Sequence, residues 1–220
     1  MVLVFIDMKN NIKYFALFGE RCSGTKYIEK LLVESGLEKN ILFGGKHWFL
    51  PKLYIHRPEL NNSTDLDGGH GRGGYLKPTD PKSDEVLFVV IARNPYQWVA
   101  SMYNTPHQMD EMEYDDRYSF LTNKYYCTHP NNPILKESFI EEAENIIDIR
   151  NKKHTHWMNL SRLVKHFVII NYDDLPNEIK KLPVDVDISD FKLKNDYILE
   201  DREIEFIKNN LNNEIDELFY

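Results

Sequence analysis

The hydrophobic pattern changes period several times along the chain, and each change marks an element. Residues 2–6 and 12–18 are runs rich in β-branched and aromatic side chains, separated by Asp-Met-Lys-Asn-Asn, which predicts an opening hairpin or two neighbouring strands. Tyr27, Ile28, Leu31 and Leu32 then recur at helical spacing, with Gly36 as the stop. Residues 41–43 suit a short strand and are followed by "GGKHWFLPK" in a turn. From 56 to 85 the chain is dense in Gly, Pro, Asn, Asp and Ser and reads as one long flexible loop.

"EVLFVVIA", residues 85–92, is apolar on both faces, the pattern of a central parallel strand covered by helices on each side. "RNPYQWVASMY" follows at once, with Asn94 suited to an N-cap and Pro95 to the first helical position. A strand-to-helix junction is therefore predicted at Arg93. Residues 137–166 are predicted helical from the recurrence of Phe139, Ile140, Ala143, Ile146, Ile147 and Ile149, and the basic "RNKKHTHW" lies within them. "HFVIINYDDL" predicts a third buried strand, and residues 198–220 a terminal helix. Strands alternating with helices predict an α/β fold, one domain over residues 1–220, with a mostly parallel central sheet and right-handed crossovers.

Composition narrows the function. The 220 residues are 42% hydrophobic and 13% aromatic, enough for one sizeable core. A net charge of −8 repels polyanions, so nucleic acid is not expected as a partner, and any anionic ligand must be held by a local basic site. The two cysteines, Cys22 and Cys127, stand in unlike contexts, which suggests a reducing compartment rather than a disulfide framework. The pattern of a signal peptide and any apolar run of about 18 residues are missing, so a cytoplasmic protein that does not enter a membrane is expected.

The chemistry concentrates at two junctions. A strand that feeds a helix through small residues presents unpaired N–H groups, and the helix dipole adds positive charge there. "GERCSGTK", residues 19–26, offers such a turn, with Ser23 and Thr25 as hydroxyl donors and Arg21 and Lys26 as charges. Its order, Gly-Thr-Lys, misses the Gly-Lys-Ser/Thr of a nucleoside-triphosphate loop. The plainer reading is a Gly-containing turn ahead of a well-capped helix. At the second junction Arg93 ends a strand, and Ser101 lies about two helical turns later. Ligands of open α/β sheets bind at this carboxyl edge, so the pair suggests a ligand with two separated anionic groups.

"RCSGTKY" followed about 70 residues later by "RNPYQWVASMY" resembles the sulfotransferases that use 3′-phosphoadenosine 5′-phosphosulfate (PAPS). "GGKHWFLP" looks like that family's Lys-x-His-x-Pro region, and "VIINYDDL" like its Tyr-Glu-Asp-Leu strand end. The resemblance, over roughly residues 12–175, implies a P-loop-like three-layer architecture. It implies a transfer of the sulfuryl group from PAPS to a small-molecule or glycan hydroxyl, without a metal, leaving adenosine 3′,5′-bisphosphate (PAP). Arg21, Cys22, Ser23, Gly24, Thr25, Lys26 and Tyr27 would hold the 5′ phosphosulfate, and Arg93 and Ser101 the 3′ phosphate. His47 would be the general base, with Lys46 and Arg21 stabilising the transferring group.

The chain departs from the family at Cys22, where many members carry Lys or Arg; Arg21 or Lys26 would then supply the charge. The family's Arg-Lys-Gly element is missing, and Arg150, Lys152 or Lys153 would replace it unless they form a solvated helix face. His107 suits an exposed loop, His154 and His156 point from different helix faces, and Trp98 and Trp157 suit the core, whereas Trp48 suits the acceptor pocket. Two other readings remain at this point: a nucleoside-triphosphate enzyme using magnesium, and a nucleotide-binding module without turnover.

Overall fold

The computed structural model describes residues 11–39, 83–106, 112–129, 139–162, 164–193 and 197–218. The strands expected at 2–6 and 41–43, residues 56–82 of the long loop, Lys46, His47, Trp48 and His107 lie outside the described residues.

Strand β1 (Tyr14–Gly19) leads into helix α1 (Thr25–Glu34), whose apolar positions Ile28, Leu31 and Leu32 are buried. Gly36 ends that helix with φ +91°, donating its N–H to Val33 while Leu37 donates to Leu32. These two bonds form a Schellman stop, and burial of Leu37 beyond it supplies the accompanying apolar contact. The chain then enters β2 (Glu38–Lys39).

β3 (Val86–Ala92) is buried at all seven positions. Helix α2 (Pro95–Asn104) starts on Asn94, whose side chain accepts from the Tyr96 and Gln97 N–H groups. Further on come α3 (Arg117–Thr122), β4 (Tyr125–His129), β5 (Phe139–Ala143), α4 (Ile146–Met158), β6 (His166–Asn171), α5 (Leu175–Glu178), α6 (Asp201–Asn210) and α7 (Asn213–Asp216).

The central sheet is parallel throughout, in the order β2-β1-β3-β6. Successive side chains of β3 point to opposite faces. Leu87, Val89 and Ile91 pack with Ile28, Leu31 and Leu32 of α1, and Val86, Phe88, Val90 and Ala92 pack with Trp157 and Leu160. The expected α/β fold with a parallel sheet covered by helices is thus observed. A third apolar cluster joins Trp98 and Val99 of α2, Phe120 of α3, Cys127 of β4 and Ile146 and Ile147 of α4. Trp98 and Trp157 are both core residues, as expected.

Three expectations are corrected. Phe139–Ala143 is a strand, paired antiparallel with Tyr125–His129, and helix α4 begins only after Asn145, which accepts from the Ile147 and Asp148 N–H groups. Apolar residues three and four apart continue across that cap, so the spacing imitated one long helix. The terminal helix is broken: Leu211 is extended, and Asn212 caps the short α7 by accepting from Ile215. β6 is only half-buried, with His166 and Ile170 fully covered.

Nothing lies within 4 Å of a Cβ built on Gly36, so alanine there meets only the left-handed backbone penalty. Gly36→Ala should lower stability by about 1–2 kcal/mol, read as a reduced urea midpoint, with ligand binding at the opposite end of α1 unchanged.

Candidate anion-binding site

The turn after β1 is held together through its carbonyl groups. Ser23 donates its hydroxyl (2.6 Å) and its N–H (3.3 Å) to the Glu20 carbonyl. Trp98 Nε1 donates to the Arg21 carbonyl at 2.8 Å, and Arg93 Nη1 to the Cys22 carbonyl at 3.0 Å. Cys22 and Gly24 are left-handed, with φ 60° and 86°. Gly24 is the N-cap of α1 and offers no side-chain cap, and the first turn carries no acidic residue. The Thr25 and Lys26 amides therefore begin the helix without a capping acceptor, the arrangement that receives an anion. The well-capped helix of the plainer reading is not what the structure shows at α1.

Close packing fixes the turn. A Cβ on Gly24 would lie 2.0 Å from the Tyr172 ring, and one on Gly19 would lie 2.8 Å from Ser23 Oγ and 2.9 Å from the Ile91 carbonyl. The Phe191 ring sits 5.4 Å from both the Tyr27 and Tyr172 rings. Asp190 accepts from the Tyr27 hydroxyl at 2.6 Å and from Lys30 at 3.0 Å. Burial and the Asp190 carboxylate push the Tyr27 phenol well above its ordinary range, so it stays protonated.

The second junction meets the first. Arg93, at the end of β3 and 5% exposed, bonds the Cys22 carbonyl, lies 3.8 Å from Asp173 Oδ1 and stands over the Tyr172 ring at 5.8 Å. Asp173 also accepts from the Asn94 N–H at 2.5 Å. The Cys22 thiol lies beside Ser101 and 3.9 Å from the Thr105 carbonyl. Burial pushes the Cys22 thiol up, against the opposing pull of Ser101, Arg93, Arg21 and Lys26.

The sequence-derived candidates within the described residues now have a place. Ser23, Gly24, Thr25, Arg93 and Ser101 come together around Cys22. Of the two candidate charges, Lys26 is exposed, whereas Arg21 is 5% exposed and donates inward to the Tyr125 hydroxyl at 3.2 Å. Tyr103 packs against Tyr114 and Phe120. Lys46 and His47 lie outside the described residues.

Sequence reasoning missed Glu20, the residue that opens the loop. It is 3% exposed, 2.6 Å from His154 Nε2 and 3.5 Å from Arg150 Nε. Burial alone would raise its carboxyl, but His154, Arg150 and Lys153 outweigh burial and hold it below the usual carboxylate range. His154 is pushed down by burial, with Arg150 adding to the effect and the Glu20 carboxylate opposing it. The picture of "RNKKHTHW" as a solvated face is corrected. Arg150, Lys153, His154 and Trp157 recur at i, i+3, i+4 and i+7 and are all buried, while Lys152 points outward to Asp148. That stripe was the available signal. Asp173 and Tyr172 were also missed as partners of Arg93 and Gly24, although both follow directly from the end of β6.

No family model, curated protein or solved structure matches this chain. Among the described residues no group of three or more His, Cys, Asp or Glu is placed to hold a metal ion, and no helix is long and apolar enough to cross a membrane.

Gly24→Ala should destabilise the protein by roughly 2 kcal/mol or more, because strain and the Tyr172 clash add. Gly24→Ala/Tyr172→Ala should recover the steric part, which urea unfolding of the two variants will separate. Acid should also destabilise. Burial lowers both His154 and His166 from the ordinary value of 6.5, so below that pH the unfolded chain binds more protons and stability falls. The lowered Glu20 extends the loss below its ordinary 4.5. Urea midpoints should therefore decline from about pH 7.5 to about pH 5 and continue falling beyond, and His154→Gln should flatten the first part.

Proposed function

We propose that this chain is a sulfotransferase that binds PAPS at the Arg21–Lys26 loop and transfers its sulfuryl group to a hydroxyl acceptor. One observation carries the reading. The loop's carbonyls are bonded inward, its helix begins without a side-chain cap, and Arg93 and Ser101 from the second junction reach the same loop. The donor set fits a doubly anionic nucleotide: amides of Thr25 and Lys26 with the Lys26 charge for the 5′ end, and Arg93 with Ser101 for the 3′ phosphate.

The chemistry asked of these groups is charge neutralisation. As the acceptor oxygen bonds to sulfur, the bond from sulfur to the 5′ phosphate oxygen breaks, and negative charge grows on that phosphate. Fixed amides and Lys26 stabilise that charge. His47, on the strength of the family resemblance, takes the acceptor proton, and Lys46 stabilises the transferring group. Arg21 serves beneath the loop, holding it against Tyr125, rather than at the reacting atoms. Asp173 shares Arg93 with the ligand, so part of the guanidinium charge is already balanced.

Calorimetry with PAP in the absence of magnesium tests the reading. Wild-type protein should bind it, and Arg93→Ala should weaken binding by about 10-fold or more, the effect of losing one hydrogen bond to a charged group. Sulfur-35 from labelled PAPS should appear in a hydroxyl compound of the host extract. His47→Ala should abolish that transfer and leave PAP affinity nearly intact. Magnesium-dependent binding of ATP with none of PAP would overturn the proposal.

A further inference from the structure

Arg150 reaches from one position to both junctions. Its side chain is 1% exposed on α4. Nε lies 3.5 Å from the Glu20 carboxylate at the start of the loop, and Nη2 donates at 3.3 Å to the Arg93 carbonyl at the end of β3. Nη1 pairs with Asp216 of α7 at 2.5 Å, and the guanidinium stands 5.8 Å from the Trp98 ring, whose own N–H holds the Arg21 carbonyl. Each end of the anion site thus has a contact to the same planar group.

We propose that Arg150 is a positioning residue that sets the spacing between the anion loop and the Arg93 junction, acting through Glu20 and the Arg93 carbonyl. The proposal rests on the reading of the loop as an anion site. Buried ions are tolerated only when their partners are correctly placed, so moving one member of such a group is strongly opposed. The Glu20 carbonyl also receives both bonds from Ser23, so any displacement of Glu20 passes directly into the turn. The guanidinium is rigid and forked, and a lysine could not hold three partners in three directions.

Charge balance guides the choice of variants. Glu20 and Asp216 both lie against Arg150, and Lys153 adds positive charge near Glu20. Glu20→Gln alone would leave an excess of buried positive charge. Glu20→Gln/Arg150→Met removes one charge of each sign and so leaves the net charge of the group unchanged. Replacing a buried ion pair by groups of similar volume is often neutral for stability, so this double variant separates positioning from simple support.

Amide hydrogen exchange supplies a readout that does not depend on the ligand. In the double variant the β3 amides should keep wild-type protection. The Ser23, Tyr27 and Ile28 amides, which bond within the loop, should exchange about 10-fold faster or more, and PAP should bind about 10-fold more weakly. Loop exchange equal to wild type, with β3 intact, overturns the proposal. Should β3 protection collapse instead, Asp216→Asn is measured in its place, because it frees one end of Arg150 and leaves the loop sequence untouched. Its loop exchange should rise about threefold, and no rise overturns the proposal equally. If the loop loosens as expected but wild-type protein binds no PAP, the positioning role stands and the nucleotide reading falls.

Discussion

A turn whose carbonyl oxygens are all engaged from behind can present only N–H groups in front. That constraint governs the region between β1 and α1. Ser23, Trp98 and Arg93 bond three successive carbonyls of the turn, Ser23 from within it and the other two from α2 and the end of β3. The turn therefore depends on the neighbouring sheet edge as well as on its own eight residues. Trp98 can reach it only because α2 starts sharply at Asn94, and Arg93 only because β3 runs parallel and adjacent to β1.

Cys22 shows what this arrangement asks of the sequence. A non-glycine residue at φ 60° bears a backbone penalty of roughly 1–2 kcal/mol, which glycine would avoid. Glycine, however, has no side chain to touch α2. The thiol contacts with Ser101 and Thr105 make Cys22 the seam between the loop and that helix. At this position the chain has a small, soft group that closes the gap between two elements. The exposed Lys26, one position inside α1, is left as the loop's own outward charge.

The sequence made some levels of this structure readable and hid others. β3 was legible because seven consecutive apolar residues have no other use than a strand covered on both faces. The Asn94-Pro95 start and the Gly36 stop were legible because backbone geometry restricts which residues fit there. The convergence of Ser23 and Arg93 could be suspected from motif spacing. Phe139–Ala143 misled, since whether an apolar run becomes strand or helix depended on a partner, Tyr125–His129, that local spacing does not reveal. The roles of Glu20 and Arg150 were hidden for a similar reason. A charged residue reads as solvated until its counter-ion is known, and these counter-ions lie on separate elements.

Asp216 gives that pairing a dimension in time. It follows Arg150 by 66 positions, so a ribosome working at about 5–20 residues per second delivers it several seconds after α4. Until then a nascent chain that has already made β1, β3 and α4 holds Arg150 beside Glu20 without the carboxylate that meets its Nη1. The apolar sheet can assemble in that interval, but the Arg150–Asp216 pair forms only once α7 arrives. Maturation of the site is thereby coupled to translation of a segment remote from it in sequence.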